Sequence, residues 1–241
     1  MLPIEGQGGL RHIIKWGNMK NLAEFLARVV LLSFILLLFW WANDAEVTHT
    51  INLLIVFGGV LLTFPLVWFG RKILDERPSA TRAAWMTSIV HVGLGLTLGV
   101  PLVRALVTHQ QWPGWALPVP TSVGWALVVV TGVASFIVVA NLALRGLGAP
   151  FFIALSQKLA VDWLYAWTRN PMVLAGLAFF VSLGIWFQSL LFVLWVLILF
   201  APALLFFVKT YEERELEVRF GPSYVEYKSR TPMFLPRRPK R

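Results

Sequence analysis

The stretch Met172–Val208, MVLAGLAFFVSLGIWFQSLLFVLWVLILFAPALLFFV, contains no charged residue. Read as one helix it would extend roughly 55 Å at 1.5 Å per residue, far beyond a hydrocarbon core of about 30 Å. Its polar break is Gln188–Ser189. The stretch therefore predicts two membrane helices, Met172–Phe187 and Ser189–Val208, folded back on each other as a tight hairpin.

Working outward, four earlier apolar runs approach spanning length, near Leu22–Ala42, Ile51–Phe69, Ala84–Val107 and Val123–Leu144. Pro65, Pro101 and Pro202 lie inside or near the ends of spans and predict kinks without a change of topology. A chain that is 58% hydrophobic and 14% charged, with a mean hydropathy of +0.71, has too little polar surface to cover a water-facing globule. The expectation is an all-α integral membrane protein of about six transmembrane helices, the last two a hairpin, followed by a cytoplasmic C-terminal helical segment. Three regions follow: a cytoplasmic N-terminal segment at 1–21, four spans at 22–144, and a functional C-terminal region at 145–241.

Basic residues orient the chain. Arg11, Lys15, Lys20 and Arg28 precede or begin span one; Arg71, Lys72, Arg77 and Arg82 lie between spans two and three. Arg145, Lys158 and Arg169 lie between four and five, and the rest follow span six. Of 21 Lys and Arg, only Arg104 falls on the opposite side, with Asp44 and Glu46. Basic residues accumulate on the cytoplasmic face, so both termini are expected there. This distribution accounts for the net charge of +9 without a nucleic-acid partner, and anionic headgroups suit the tail PRRPKR. Trp40, Trp41, Trp68, Trp85, Trp112 and Trp115 mark span ends as interfacial rings do. Glu24 and Arg28, four apart, are spaced to pair on the first turns of span one.

The chain has no Cys and four His, His12, His49, His91 and His109, too scattered for a metal site. Gly93, Gly95 and Gly99 in GLGLTLG mimic a nucleotide loop, but they lie in a span, where small residues serve helix packing. His91 and Asn141, within spans, read best as hydrogen-bonded neutral groups.

Two polar islands bracket the hairpin. One runs from Arg145 to Pro171. The other is KTYEERELEVRFGPSYVEYKSRTPMFLP, from Lys209 to Pro236. Span six is expected to continue as a helix through YEERELEVRF, ending at Gly221 before Pro222. Ser223 and Glu226 form a capping-box pattern for a second short helix carrying Tyr224 and Tyr227. Pro232 and Pro236 end regular structure. A hairpin brings both islands to one face, so Arg169 and Asn170 meet Glu212, Glu213, Tyr224 and Tyr227. Such a set suits a ligand that is cationic or carries both signs.

These residues resemble the C-terminal half of the isoprenylcysteine carboxyl methyltransferase family and its phospholipid N-methyltransferase relatives. The matching elements are Arg169-Asn170-Pro171 before the hairpin, Glu212-Glu213 with Leu216, and Phe220-Gly221 with Tyr224 and Tyr227. The loop from Gly146 to Pro171 is also similar, although Val173 stands where the family usually has Tyr, and DWLYAW at Asp162–Trp167 lacks the usual Gly-Pro. The resemblance covers the C-terminal region; the first three spans carry no specific signature.

The resemblance implies S-adenosylmethionine as methyl donor, with Arg169 and Glu213 at the reaction centre. Around the cofactor it implies Arg169, Asn170, Pro171, Glu212, Glu213, Tyr224, Tyr227 and Trp167. Glu212 or Glu213 would hold the ammonium and Arg169 the carboxylate of the donor. Tyr224, Tyr227 or Trp167 would pack on adenine or beside the sulfonium. The acceptor is lipophilic or small: an isoprenylcysteine carboxylate, a lipid amine or a thiol. The competing readings are an NAD(P)H-dependent membrane reductase of the sterol reductase type and a non-enzymatic membrane protein.

Overall fold

The computed structural model describes residues 29–31, 33–112, 114–145 and 159–238. Expectations for the start of span one, the Glu24–Arg28 pair, the loop at 146–158 and the last basic residues, Lys240 and Arg241, lie outside them. The described chain is helical: α1 Val29–Asp44, α2 His49–Glu76, α3 Ala80–Gln111, α4 Thr121–Arg145, the single turn α5 Leu164–Trp167, α6 Pro171–Trp186, α7 Leu190–Phe220 and α8 Pro222–Arg230. Among the described residues no strand occurs beyond one isolated bridge, Ala116 to Ser189.

Four helices, α2, α3, α4 and α7, are long and apolar enough to cross a membrane. Large apolar side chains point outward along them, including Leu54, Leu61, Phe136 and Ile198. An apolar surface on this scale requires lipid, and the protein is an integral membrane protein. Helices α1 and α6 are apolar but shorter. At 1.5 Å per residue, α6 covers about 24 Å, less than a full hydrocarbon core.

Helices α2, α3 and α7 form the core, around Val56, Val67, Val90, Phe192, Phe207 and Tyr211. Polar links tie it: Thr63 to Thr97 at 3.0 Å, and Tyr211 to Thr87 at 3.2 Å. Small residues permit close approach, as the sequence predicts. A Cβ on Gly93 would fall 2.5 Å from the Leu66 side chain, and one on Gly99 would fall 2.6 Å from Phe39.

The prolines leave the helices continuous. Pro101 follows a widened π turn at Gly95–Gly99, and Pro202 follows another at Val196–Phe200. Such turns relieve the strain of a ring that carries no N–H. In two further π turns a side chain takes up a carbonyl: Trp195 Nε1 donates to Val56 O at 3.2 Å, and Arg71 Nη1 to Thr210 O at 2.8 Å.

Between α6 and α7 the chain passes through Gln188, whose φ is +56°, and Ser189, whose hydroxyl accepts from Phe192 N. The contacts of α6 with α7 run from Gly184 against Val193 to Phe180 against Phe200, with ring centroids 5.6 Å apart. Helix α4 packs on α6 in the opposite sense, with Gly124 against the backbone of Trp186 and Gly132 against Phe179.

Arg104 is buried at 5% exposure. Its Nε donates to Asn52 Oδ1 at 2.9 Å, and its Nη1 to the carbonyls of Ala42 and Ala45 at 2.9 and 2.8 Å. It thus satisfies the C-terminal carbonyls of α1 and ties α1 to α2 and α3. Asn52 continues the cluster to Thr108 at 3.0 Å. R104A leaves three acceptors, two buried and one partly buried, without their donor. It is expected to cost roughly 3 kcal/mol, read as a lower unfolding midpoint in detergent; an unchanged midpoint would contradict this anchoring role.

Candidate functional site

Arg169, Asn170 and Pro171 sit where α5 gives way to α6. Trp163, at φ +52°, opens the single turn of α5, and Thr168 then extends the chain. Pro171 occupies the first position of α6, where a missing N–H costs no helical bond. The segment lies against a C-terminal strap, residues 231–238. Arg169 N donates to Pro232 O at 2.9 Å, while Thr168 Oγ1 and Asn170 Nδ2 both donate to Met233 O at 3.0 Å. Arg237 N donates back to Trp167 O at 3.0 Å. Asn170 therefore ties down the strap, and its side chain does not cap α6.

The Arg169 guanidinium is divided among fixed partners. Nη1 donates to Lys228 O and Thr231 O, both at 2.8 Å, and Nη2 makes an ion pair with Glu213. Both side chains of that pair are 9% exposed. Arg169 Nε is buried and has no hydrogen-bond partner among the described residues.

Helix α7 delivers the acids, each with its own neighbours. Glu213 meets Lys228 Nζ at 2.8 Å as well as Arg169. Glu215 pairs with Arg219 at 2.6 Å, and Glu217 with Lys228 at 3.0 Å and Arg214 at 3.4 Å. Arg214 reaches Asp75 on α2 at 2.7 Å, and Asp75 also pairs with Arg71. Burial alone would lower the Lys228 pKa, but hydrogen bonds to Glu213 and Glu217 outweigh it and raise the ammonium above the ordinary lysine value. Glu212 differs: among the described residues its carboxylate has no hydrogen bond and no ion pair.

Gly221, at φ +55°, ends α7 with its N–H on Glu217 O at 2.9 Å, as the sequence predicts. The expected capping box does not form. Pro222 presets φ and starts α8 directly after Gly221, so Ser223 is already helical and the N-cap makes no side-chain bond. Tyr224 and Tyr227 are buried on α8. Tyr227 donates to Tyr165 O at 2.6 Å.

A cleft opens between these elements. Its polar lining comprises Arg169, Asn170, Glu212, Glu213, Tyr165, Tyr224 and Tyr227, and its apolar walls include Leu142 of α4, Met172 and Val173 of α6, and Val208 and Leu216 of α7. The Tyr165 and Tyr224 hydroxyls, like Glu212, have no partner among the described residues. Burial raises the pKa of both tyrosines, with the charge of Glu212 adding to the effect at Tyr165 and that of Glu213 at Tyr224, so both remain protonated donors.

The structure thus brings together Arg169, Asn170, Glu212, Glu213, Tyr224 and Tyr227. Pro171 is buried beside the cleft without lining it. Trp167 does not join the site and is 46% exposed. Two residues on a helix point about 200° apart at 3.6 residues per turn, so turning Tyr165 inward turns Trp167 outward. Sequence reasoning missed Tyr165 and Lys228. Their signal was position alone, a tyrosine and a lysine within the two polar islands. Among the described residues no metal-ligating group of three occurs.

Residues 119–223 match the family model described as phospholipid methyltransferase. Neither a curated protein nor a solved structure matches the chain. The matched residues include every cleft residue named above except Tyr224 and Tyr227, which lie just beyond them.

The two adjacent glutamates are predicted to separate by stability. E213A leaves a buried guanidinium without its carboxylate and is expected to cost about 3–5 kcal/mol. E212A removes an unpartnered carboxylate and leaves stability unchanged or raises it. Unfolding midpoints of the two variants in detergent check this; equal losses would contradict it.

Proposed function

We propose that the protein is an integral-membrane S-adenosylmethionine-dependent methyltransferase acting on a lipophilic or small acceptor. The observation that carries this reading is the convergence on one cleft of four polar groups that have no partner among the described residues. These are the Glu212 carboxylate, Arg169 Nε, and the Tyr165 and Tyr224 hydroxyls. A buried guanidinium N–H left without a partner costs about 1–3 kcal/mol, so Arg169 Nε beside three cleft-facing polar groups points to a ligand that supplies the missing bond.

The chemistry of the donor fits this set. Glu212 suits a cationic end, and Arg169 Nε offers one charge-assisted N–H to a carboxylate. Tyr165 and Tyr224 offer donors and aromatic faces, and the aliphatic walls exclude water. When bound, the sulfonium supplies an electrophilic methyl group to a nucleophilic acceptor. Glu213, already held by two cations, fixes Arg169. The carbonyls of Lys228 and Thr231 fix it further, so the guanidinium is oriented before any ligand arrives.

The wider reading completes the picture. Helices α1 and α6 join the four longer ones as six spans, α6 and α7 form the hairpin, and both termini and the cleft face the cytoplasm. Residues 1–21, 22–144 and 145–241 act as N-terminal segment, membrane scaffold and cofactor-binding region. A water-borne donor then reaches the polar lining, while the acceptor comes from the lipid side along Leu142, Met172 and Val208. A reductase is less well supported, because the match over residues 119–223 is to a methyltransferase family model.

Calorimetry on the detergent-purified chain is expected to show binding of S-adenosylhomocysteine and S-adenosylmethionine. E212Q should weaken S-adenosylmethionine binding by at least about tenfold, the loss of one charge-assisted contact. Stabilisation by NADPH, with neither donor nor product bound, would reverse the reading.

A further inference from the structure

We propose that Lys228 is a positioning residue of the donor site, acting through Glu213; this rests on the methyltransferase reading above. Lys228 does not line the cleft. Its ammonium, on a side chain 36% exposed, lies between two acids of α7, 2.8 Å from Glu213 Oε2 and 3.0 Å from Glu217 Oε1. Its backbone carbonyl accepts from Arg169 Nη1 at 2.8 Å. One residue of α8 thus grips both members of the buried Arg169–Glu213 pair, the cation by its main chain and the acid by its side chain.

The consequence follows from charge. Without Lys228 Nζ, Arg169 is the one cation paired with Glu213 among the described residues. An anionic group approaching Arg169 Nε would then place two carboxylates on one guanidinium, and the like-charge repulsion opposes binding. With Lys228 in place, Glu213 keeps a second cation, and Arg169 can be shared with an incoming carboxylate. The lysine thereby sets how readily the guanidinium accepts a ligand without touching that ligand.

The arm to Glu217 supplies an internal control. Glu217 is outside the cleft and is also held by Arg214. If Lys228 served only to fasten α8 to α7, removing Glu217 would disturb the site as much as removing the ammonium.

The test is calorimetric binding of S-adenosylmethionine to the full chain in detergent, for wild type, K228M, K228R and E217Q. Turnover on an identified acceptor adds KM and kcat. K228M is expected to bind the donor about tenfold more weakly, within the range typical of coupling between neighbouring groups. Its donor KM should rise with kcat little changed. K228R should restore binding, and E217Q should leave it near wild type. If K228M does not extract as a folded species, K228Q carries the same expectation. Wild-type binding retained in K228M, or an equal loss in E217Q, would overturn this inference alone. No donor binding by wild type would overturn the functional reading and this inference with it.

Discussion

The buried pair between Arg169 and Glu213 joins the two ends of the α6–α7 unit, and the C-terminal architecture is arranged around it. A charge removed from water is tolerable only when its remaining hydrogen-bonding capacity is met. Here the strap and α8 meet most of it. Lys228 O and Thr231 O take one terminal nitrogen, Glu213 takes the other, and Lys228 Nζ takes the second carboxylate oxygen. The helix breaker, the amide and the cation at 169–171 are parts of one fastening. Pro171 starts α6, Asn170 pins the strap, and Arg169 holds α7.

Against that satisfied frame, the unsatisfied atoms define the site. Three of the four acids from Glu212 to Glu217 are neutralised by named cations, and the exception faces the cleft. The same asymmetry separates Tyr227, whose hydroxyl is used structurally on Tyr165 O, from Tyr165 and Tyr224, whose hydroxyls have no partner among the described residues. On the proposed reading, stability and binding fall to different members of one motif. Glu213 and Tyr227 hold the frame, while Glu212, Tyr224 and Tyr165 face what the frame surrounds.

Much of this was legible in the residues. The helices at α2, α3, α4 and α7 followed from apolar run length, and the break at Gln188–Ser189 followed from the impossible length of a single helix. Gly221 was readable because a positive φ before proline suits glycine alone. The expected spans stopped short of the true helix ends, since hydropathy marks where lipid begins and hydrogen bonding continues past that point. Ser223–Glu226 misled because a proline one residue earlier had already begun the helix. Trp167 misled because aromatic composition says nothing of which way a single turn faces. Nor could the pattern EERELE disclose which acid would be left over. That depends on Arg214, Arg219 and Lys228 arriving from particular directions, which only the tertiary fold determines.

The central claim is that the unsatisfied groups around Glu212 await one ligand. Hydrogen–deuterium exchange on the detergent-purified protein, with and without S-adenosylhomocysteine, tests it directly. The account predicts ligand-dependent slowing confined to peptides covering α5, the start of α6, and 208–231, with no change near Arg104. Unaltered exchange across those peptides, or slowing centred on the Arg104 cluster instead, would contradict it.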